Sequence, residues 1–168
     1  MIYYNIINNK KVFFESDIIF ADYEATLANE KEQEEYFLEK AKTSKLFDLN
    51  RFYNSSECWT YTVYTNVKQY ASKTGDADFF GRVITASLGK TMEILDDNNQ
   101  PVQYFLDEIK GQNLNFRINN QNGTAIKRKK LDLENKINLA NNIDDITNID
   151  FQKELLNAVE RKINLDTI

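Results

Sequence analysis

Residues 58–95 read CWTYTVYTNVKQY, then ASKTGDADFFGR from position 71, then VITASLGKTMEIL from position 83. The first part alternates. Trp59, Tyr61, Val63, Thr65 and Val67 fall on one side, and Cys58, Thr60, Thr62, Tyr64 and Asn66 on the other. Successive side chains of a strand point to opposite faces, and β-branched and aromatic residues suit a pleated surface, so this segment predicts the central strand. The third part predicts a hairpin, 83–88 against 91–95. Its turn is Gly89-Lys90, where glycine supplies the positive φ of a tight reversal. The rest of the chain is expected to pack on this sheet or hang from it.

Towards the N-terminus, 2–7 and 12–19 read as two strands around Asn8-Asn9-Lys10, because asparagine tolerates left-handed backbone angles. Val12, Phe14, Ser16 and Ile18 are the expected core side. Phe13, Glu15, Asp17 and Ile19 form the other side, where the aromatic is expected to cover a helix. Residues 22–45 predict that helix, with a break at Ala28-Asn29 and Asn29 capping a second segment. Acids early (Glu24, Glu30, Glu32) and lysines late (Lys40, Lys42, Lys45) complement the helix dipole. Tyr23, Leu27, Phe37, Leu38 and Ala41 supply an apolar stripe. The run EKEQEE at 30–35 reads either as a solvated face or as an acidic docking surface. Residues 46–57, LFDLNRFYNSSE, read as an irregular aromatic link to the central strand.

Towards the C-terminus, 96–100 is a polar turn. Pro101 is expected to open a short helix, with Val102, Phe105, Leu106 and Ile109 at helical spacing and Gly111 as its stop. Residues 114–118 predict a further strand. From 119 the chain turns polar and then basic. Residues 131–149 have weak periodicity. Asp150 caps a final helix, 151–163, with Phe151, Leu155, Leu156, Val159 and Ile163 on one side. The expected class is α+β, an antiparallel or mixed sheet of about five to six strands packed by two to three helices, with a C-terminal helical extension. The expected division is a core domain over 1–118 and a polar linker with C-terminal helix over 119–168. That extension docks on the core, binds a partner, or leads into further domains.

Composition narrows the chemistry. The 168 residues suit one domain, and 42% hydrophobic with 12% aromatic residues is enough for a core. A net charge of −5 argues against bulk attraction to nucleic acid or an anionic membrane. The chain contains no histidine, which removes Ser-His-Asp and Cys-His hydrolases and histidine-metal nucleases. The single cysteine, Cys58, excludes an internal disulfide framework and reads as a small core residue in a reducing cytoplasm. No apolar run reaches the ~20 residues of a membrane span, and Asn5, Asn8, Lys10 and Lys11 interrupt any signal-peptide pattern. Heavy use of Ile, Asn and Lys fits an AT-rich genome, bacterial or phage.

Several local patterns resemble parts of chemical sites. Asp76 and Asp78 form a D-x-D pair in the 71–82 connection, but a calcium loop fails, with Phe80 at its fifth position and Ser87 at its twelfth. Arg82 either brackets Asp78 or grips a carboxylate or phosphate. Gly89-Lys90-Thr91 ends like a phosphate-binding loop, yet Ile84 stands where that motif needs glycine. The reading placed first is therefore a non-catalytic protein-binding domain: an immunity protein, an inhibitor, or an adaptor of a defence system. Its expected partner-binding residues are Arg51, Tyr53, Tyr61, Tyr64, Asp76, Asp78 and Arg82. No catalytic residue, metal ligand or cofactor is assigned. One alternative is a metal-dependent enzyme using the carboxylates of 71–82 with Arg82 and Tyr64. The other is a nucleic-acid-binding module acting through Lys127, Arg128, Lys129 and Lys130, a cluster that otherwise pairs with the chain's own acids.

Overall fold

In the computed structural model, residues 1–19, 25–64, 91–95, 98, 100–105 and 107–168 are described. They form an α+β fold whose strands lie in three small sheets, of three, two and two strands among the described residues. Asn8 and Asn9 take φ of 51° and 61°. Two such residues in succession make a turn that matches the twist of antiparallel strands. The turn joins β1 (Ile2–Ile7) to β2 (Lys10–Glu15) in the register Ile7↔Lys10, and β3 (Thr26–Leu27) pairs on the other edge of β1. Tyr3 stacks on Phe14 at 6.0 Å, and Tyr4 meets Phe13 at 5.5 Å.

Helix α1 (Glu30–Tyr53) starts after Asn29, as that cap predicts, but the helix expected from 22 is absent at 25–29, where Thr26–Leu27 is strand β3 and Leu27 is exposed. The Asn29 side chain accepts from the Glu32 N–H at 3.0 Å, and Glu32 accepts from the Asn29 N–H at 2.9 Å. This reciprocal cap satisfies two donors that a helix start leaves open. The helix runs past 45 through the stretch expected to be irregular, because Leu46, Leu49, Phe52 and Tyr53 follow helical spacing and pack on the core. Its first half carries the hairpin. Phe13 lies 6.1 Å from Tyr36, Lys11 pairs with Glu32, and Lys40 pairs with Glu15. The side of β2 bearing Phe13 is thus the one against α1, whereas Val12, placed on the core side by its spacing, is exposed.

The central strand is shorter than its alternation predicts. Cys58 and Trp59 sit in a 3-10 turn, Glu57–Trp59, and β4 is Thr62–Tyr64. The turn persists because the Trp59 indole N–H donates to the Tyr53 carbonyl at 2.7 Å and the Thr60 hydroxyl to the Ser56 carbonyl at 3.0 Å. These tertiary and local bonds override strand propensity. The continuation at 65–67 and the expected 83–90 hairpin lie outside the described residues. β5 (Thr91–Leu95) is a strand as expected, but it pairs with β6 (Pro101–Phe105), in the register Leu95↔Pro101. Pro101 therefore opens a strand rather than a helix, a position where its missing N–H costs the ladder nothing.

The helix comes later. Asp107 accepts from the Lys110 N–H at 2.9 Å and caps α2 (Glu108–Asn115), with Gly111 buried inside it rather than ending it. The expected strand at 114–118 is helical. Leu114 and Ile118 are four apart, share one face and are both buried. A π turn, Phe116–Asn122, continues directly into α3 (Gly123–Leu139). Its wider step carries the buried face from Ile118 to Gly123 and Ile126. The expected polar linker is thus helical. Two short helices follow, α4 (Ile143–Thr147) and α5 (Phe151–Leu156), the latter capped by Asp150 as its sequence predicts. Ile163 belongs not to that helix but to β7 (Lys162–Asn164), which pairs parallel with β4.

One buried cluster gathers Leu49 and Phe52 of α1, Cys58, Ile126, Leu133 and Ile137 of α3, and Leu155 of α5. Removing a buried aliphatic side chain of this kind costs about 2–5 kcal/mol, so these contacts tie α1 firmly to α3 and α5.

Candidate interaction surface

The residues expected to meet a partner are placed differently from one another. Arg51 is exposed near the end of α1 and pairs with Asp48 at 3.2 Å. Tyr53 is half-buried, edge-on to Trp59 at 5.4 Å, with the Lys130 ammonium 5.2 Å from its ring centre. Tyr64 is half-buried on β4, and its carbonyl accepts from the Leu165 N–H at 2.7 Å. Tyr61 is fully buried, with the Arg161 guanidinium 5.1 Å from its ring centre. Asp76, Asp78 and Arg82 lie outside the described residues.

The basic cluster of α3 is partly engaged within the fold. Lys129 lies 3.7 Å from Glu154, and Lys130 bonds Glu134 at 2.6 Å. Lys130 and Tyr53, which belong to alternative readings of the sequence, lie side by side, the ammonium over the ring.

Arg161, half-buried, is held by three carbonyls. It donates to the carbonyls of Cys58 at 2.8 Å, Leu155 at 3.0 Å and Leu156 at 3.1 Å. The last two carbonyls end α5, where a cation also suits the helix dipole. Burial pushes the Cys58 thiol and the Tyr61 phenol up from their ordinary values, and the nearby Arg161 charge only partly offsets it. Both therefore stay protonated at neutral pH, and neither is an activated nucleophile.

An open groove of about 570 Å³ lies between the first half of α1 and the start of α4. Phe37, Leu38 and Ile143 give it apolar surface, and Phe37 and Ile143 remain 41% and 46% exposed. Glu34, Glu35, Asp144 and Lys31 rim it. Lys31 approaches Glu35 at 3.8 Å, a loose surface pair. Asn142 caps α4 by accepting from the Asp145 N–H at 2.8 Å, and the Asp145 carboxylate accepts in return from the Asn142 amide at 2.8 Å. That cap occupies Asp145, while Asp144 lines the groove. The acidic run 30–35 is in this way split by the helix: Glu32 turns to the hairpin, and Glu34 and Glu35 to the groove. The run itself was legible as a docking surface, but nothing in the sequence pairs it with 141–144.

Among the described residues, no group of three or more cysteine or acidic side chains is placed to hold a metal ion, and no helix is long and apolar enough to cross a membrane. Comparison with protein-family models, curated proteins and solved structures finds no match to this chain.

Proposed function

We propose that this protein is a non-catalytic protein-binding domain, of the kind that serves as an immunity protein, an inhibitor or an adaptor in a bacterial or phage-infected cytoplasm. The observation that carries the reading is the α1–α4 groove, where large apolar side chains stay open to solvent beneath a carboxylate rim. Exposed apolar surface rimmed by polar residues is a common mark of an interaction site. The net charge of −5 adds electrostatic complementarity to a basic partner. The groove supplements the expected set Arg51, Tyr53, Tyr61, Tyr64, Asp76, Asp78 and Arg82. Of the described members, Arg51 is exposed, Tyr53 and Tyr64 are half-buried, and Tyr61 is buried. Residues 119–168 are taken to fold against the 1–118 core, a view supported by the cluster the two segments share.

Native affinity purification of the tagged chain tests the reading. One macromolecular partner should co-purify stoichiometrically, and its retention should fall as salt rises. Recovery of no stoichiometric partner, or retention indifferent to salt, would count against it.

A further inference from the structure

We infer that the α1–α4 groove takes a cationic peptide segment of another protein, anchored by apolar side chains on Phe37, Leu38 and Ile143. This rests on the binding reading above and names the partner's chemistry. The argument is charge complementarity over an apolar floor. Three carboxylates, Glu34, Glu35 and Asp144, face one ammonium, Lys31, around the same opening. Among the described residues neither Glu34 nor Asp144 is held in an ion pair, while Glu15, Glu32, Glu134 and Glu154 each are. Carboxylates already paired within a fold have less to offer a partner. Other carboxylates, such as Asp17, Glu30, Glu57 and Asp132, are also outside the ion pairs, but Glu34 and Asp144 are the ones that border the groove's open apolar surface. A lysine or arginine flanking an aliphatic anchor would meet both at once, the stem on Phe37 and the charge on the rim. The volume, about 570 Å³, holds a few side chains rather than a folded surface.

The probe is a fluorescent amphipathic peptide of lysine and leucine, titrated by anisotropy. A scrambled peptide of the same composition and a peptide with glutamate for lysine serve as controls. The cationic peptide should bind the wild-type chain, more weakly as salt rises. The glutamate version and the variant pair Glu34→Lys/Asp144→Lys should each weaken binding about tenfold or more. Phe37→Ser should do the same, with unchanged circular dichroism and urea midpoint as the control for folding. A photo-crosslinking residue at Phe37 should capture the peptide, and one at Phe47, on another side of α1, should not. Equal binding by the variants, or by the scrambled peptide, would overturn the assignment. So would a dimer in sedimentation velocity that E34K/D144K abolishes, since the occupant would then be a second copy. Native purification with wild-type and E34K/D144K baits separates the two readings. A partner kept by both baits rejects the groove and leaves the binding reading standing. No partner with either bait tells against the binding reading, and the peptide titration then still decides the groove.

Discussion

The guanidinium of Arg161 donates to the carbonyl oxygen of Cys58 at 2.8 Å, joining positions 103 apart in the chain. The same side chain also ends α5 through Leu155 and Leu156. Arg161→Ala strips the charged donor from all three carbonyls; that of Leu155 keeps the Ala158 N–H at 3.3 Å, while those of Cys58 and Leu156 lose their Arg161 partner, so the fold should be destabilised by roughly 2–6 kcal/mol, given about 1–3 kcal/mol for each acceptor left unmet. Arg161→Lys should recover only part of this, because one ammonium cannot reproduce a planar fork. Urea denaturation measures both. Full recovery by lysine would reject the fork as the cause.

The hairpin is held to α1 by charges whose protonation sets a pH window. The Lys11 ammonium, followed by the Asn29 N–H, holds Glu32 below the ordinary carboxylate value, and Lys40 does the same for Glu15. Lys11 and Lys40 are correspondingly raised, each by its carboxylate partner. A lowered carboxylate gives stability above its unfolded pKa, about 4.3, that is lost as pH falls through the folded value. A raised lysine gives stability below its unfolded pKa, about 10.4, that is lost as pH rises through the folded value. Amide protection of β1 and β2 should therefore be flat near neutrality and fall at both extremes. Lys11→Met should lessen the acid-side fall and leave the part that Lys40 and Glu15 contribute. Acid-insensitive protection would contradict the scheme.

Cys58 is buried and its thiol is held protonated by that burial. An aromatic disulfide reagent should modify it in native buffer no faster than the protein opens, and at once in denaturant. Because the unfolded thiol ionises near pH 8.5 while the folded one resists, this group should also lower stability progressively above about that pH. Immediate native labelling would place Cys58 at the surface.

Leu49 of α1 and Ile137 of α3 occupy one buried cluster across the expected 1–118/119–168 division. Leu49→Ala and Ile137→Ala should each cost about 2–5 kcal/mol. Both should shift a single unfolding transition seen alike by Trp59 fluorescence and far-ultraviolet circular dichroism. Two separate transitions, each moved by one substitution, would make the segments independent units.

The turn at Asn8-Asn9 should accept glycine. Asn9→Gly keeps the left-handed backbone at φ 61° and should leave stability near wild type. Asn9→Val should cost about 1–2 kcal/mol, the steric penalty of that conformation for a side chain. Thermal denaturation checks the order, and an equal effect of the two substitutions would dismiss the turn's role.

What could be read from the sequence was local. Asn29, Asp150 and the Asn8-Asn9 pair act on backbone groups within a few residues of themselves, so their side-chain chemistry declares the feature they make. The misread segments turn on distant partners. Pro101 heads a segment whose apolar spacing suits a helix, but pairing with 91–95 makes it a strand. Leu114 to Ile118 suited a strand in isolation, yet a continuous helical path through the π turn buries both residues. The groove was half legible. Its acids are conspicuous at 30–35, but the face opposite them comes from 141–144, more than a hundred positions on, and no periodicity reports such a meeting.

The parallel pairing of Thr62–Tyr64 with Lys162–Asn164 has a consequence for biosynthesis. Each residue of the earlier strand is matched by one translated a hundred positions later, so the earlier one leaves the ribosome long before it can be matched. Throughout that interval its backbone amides are open to mispairing with a neighbouring nascent chain. Expression yield of this segment should for this reason depend steeply on trigger-type chaperones.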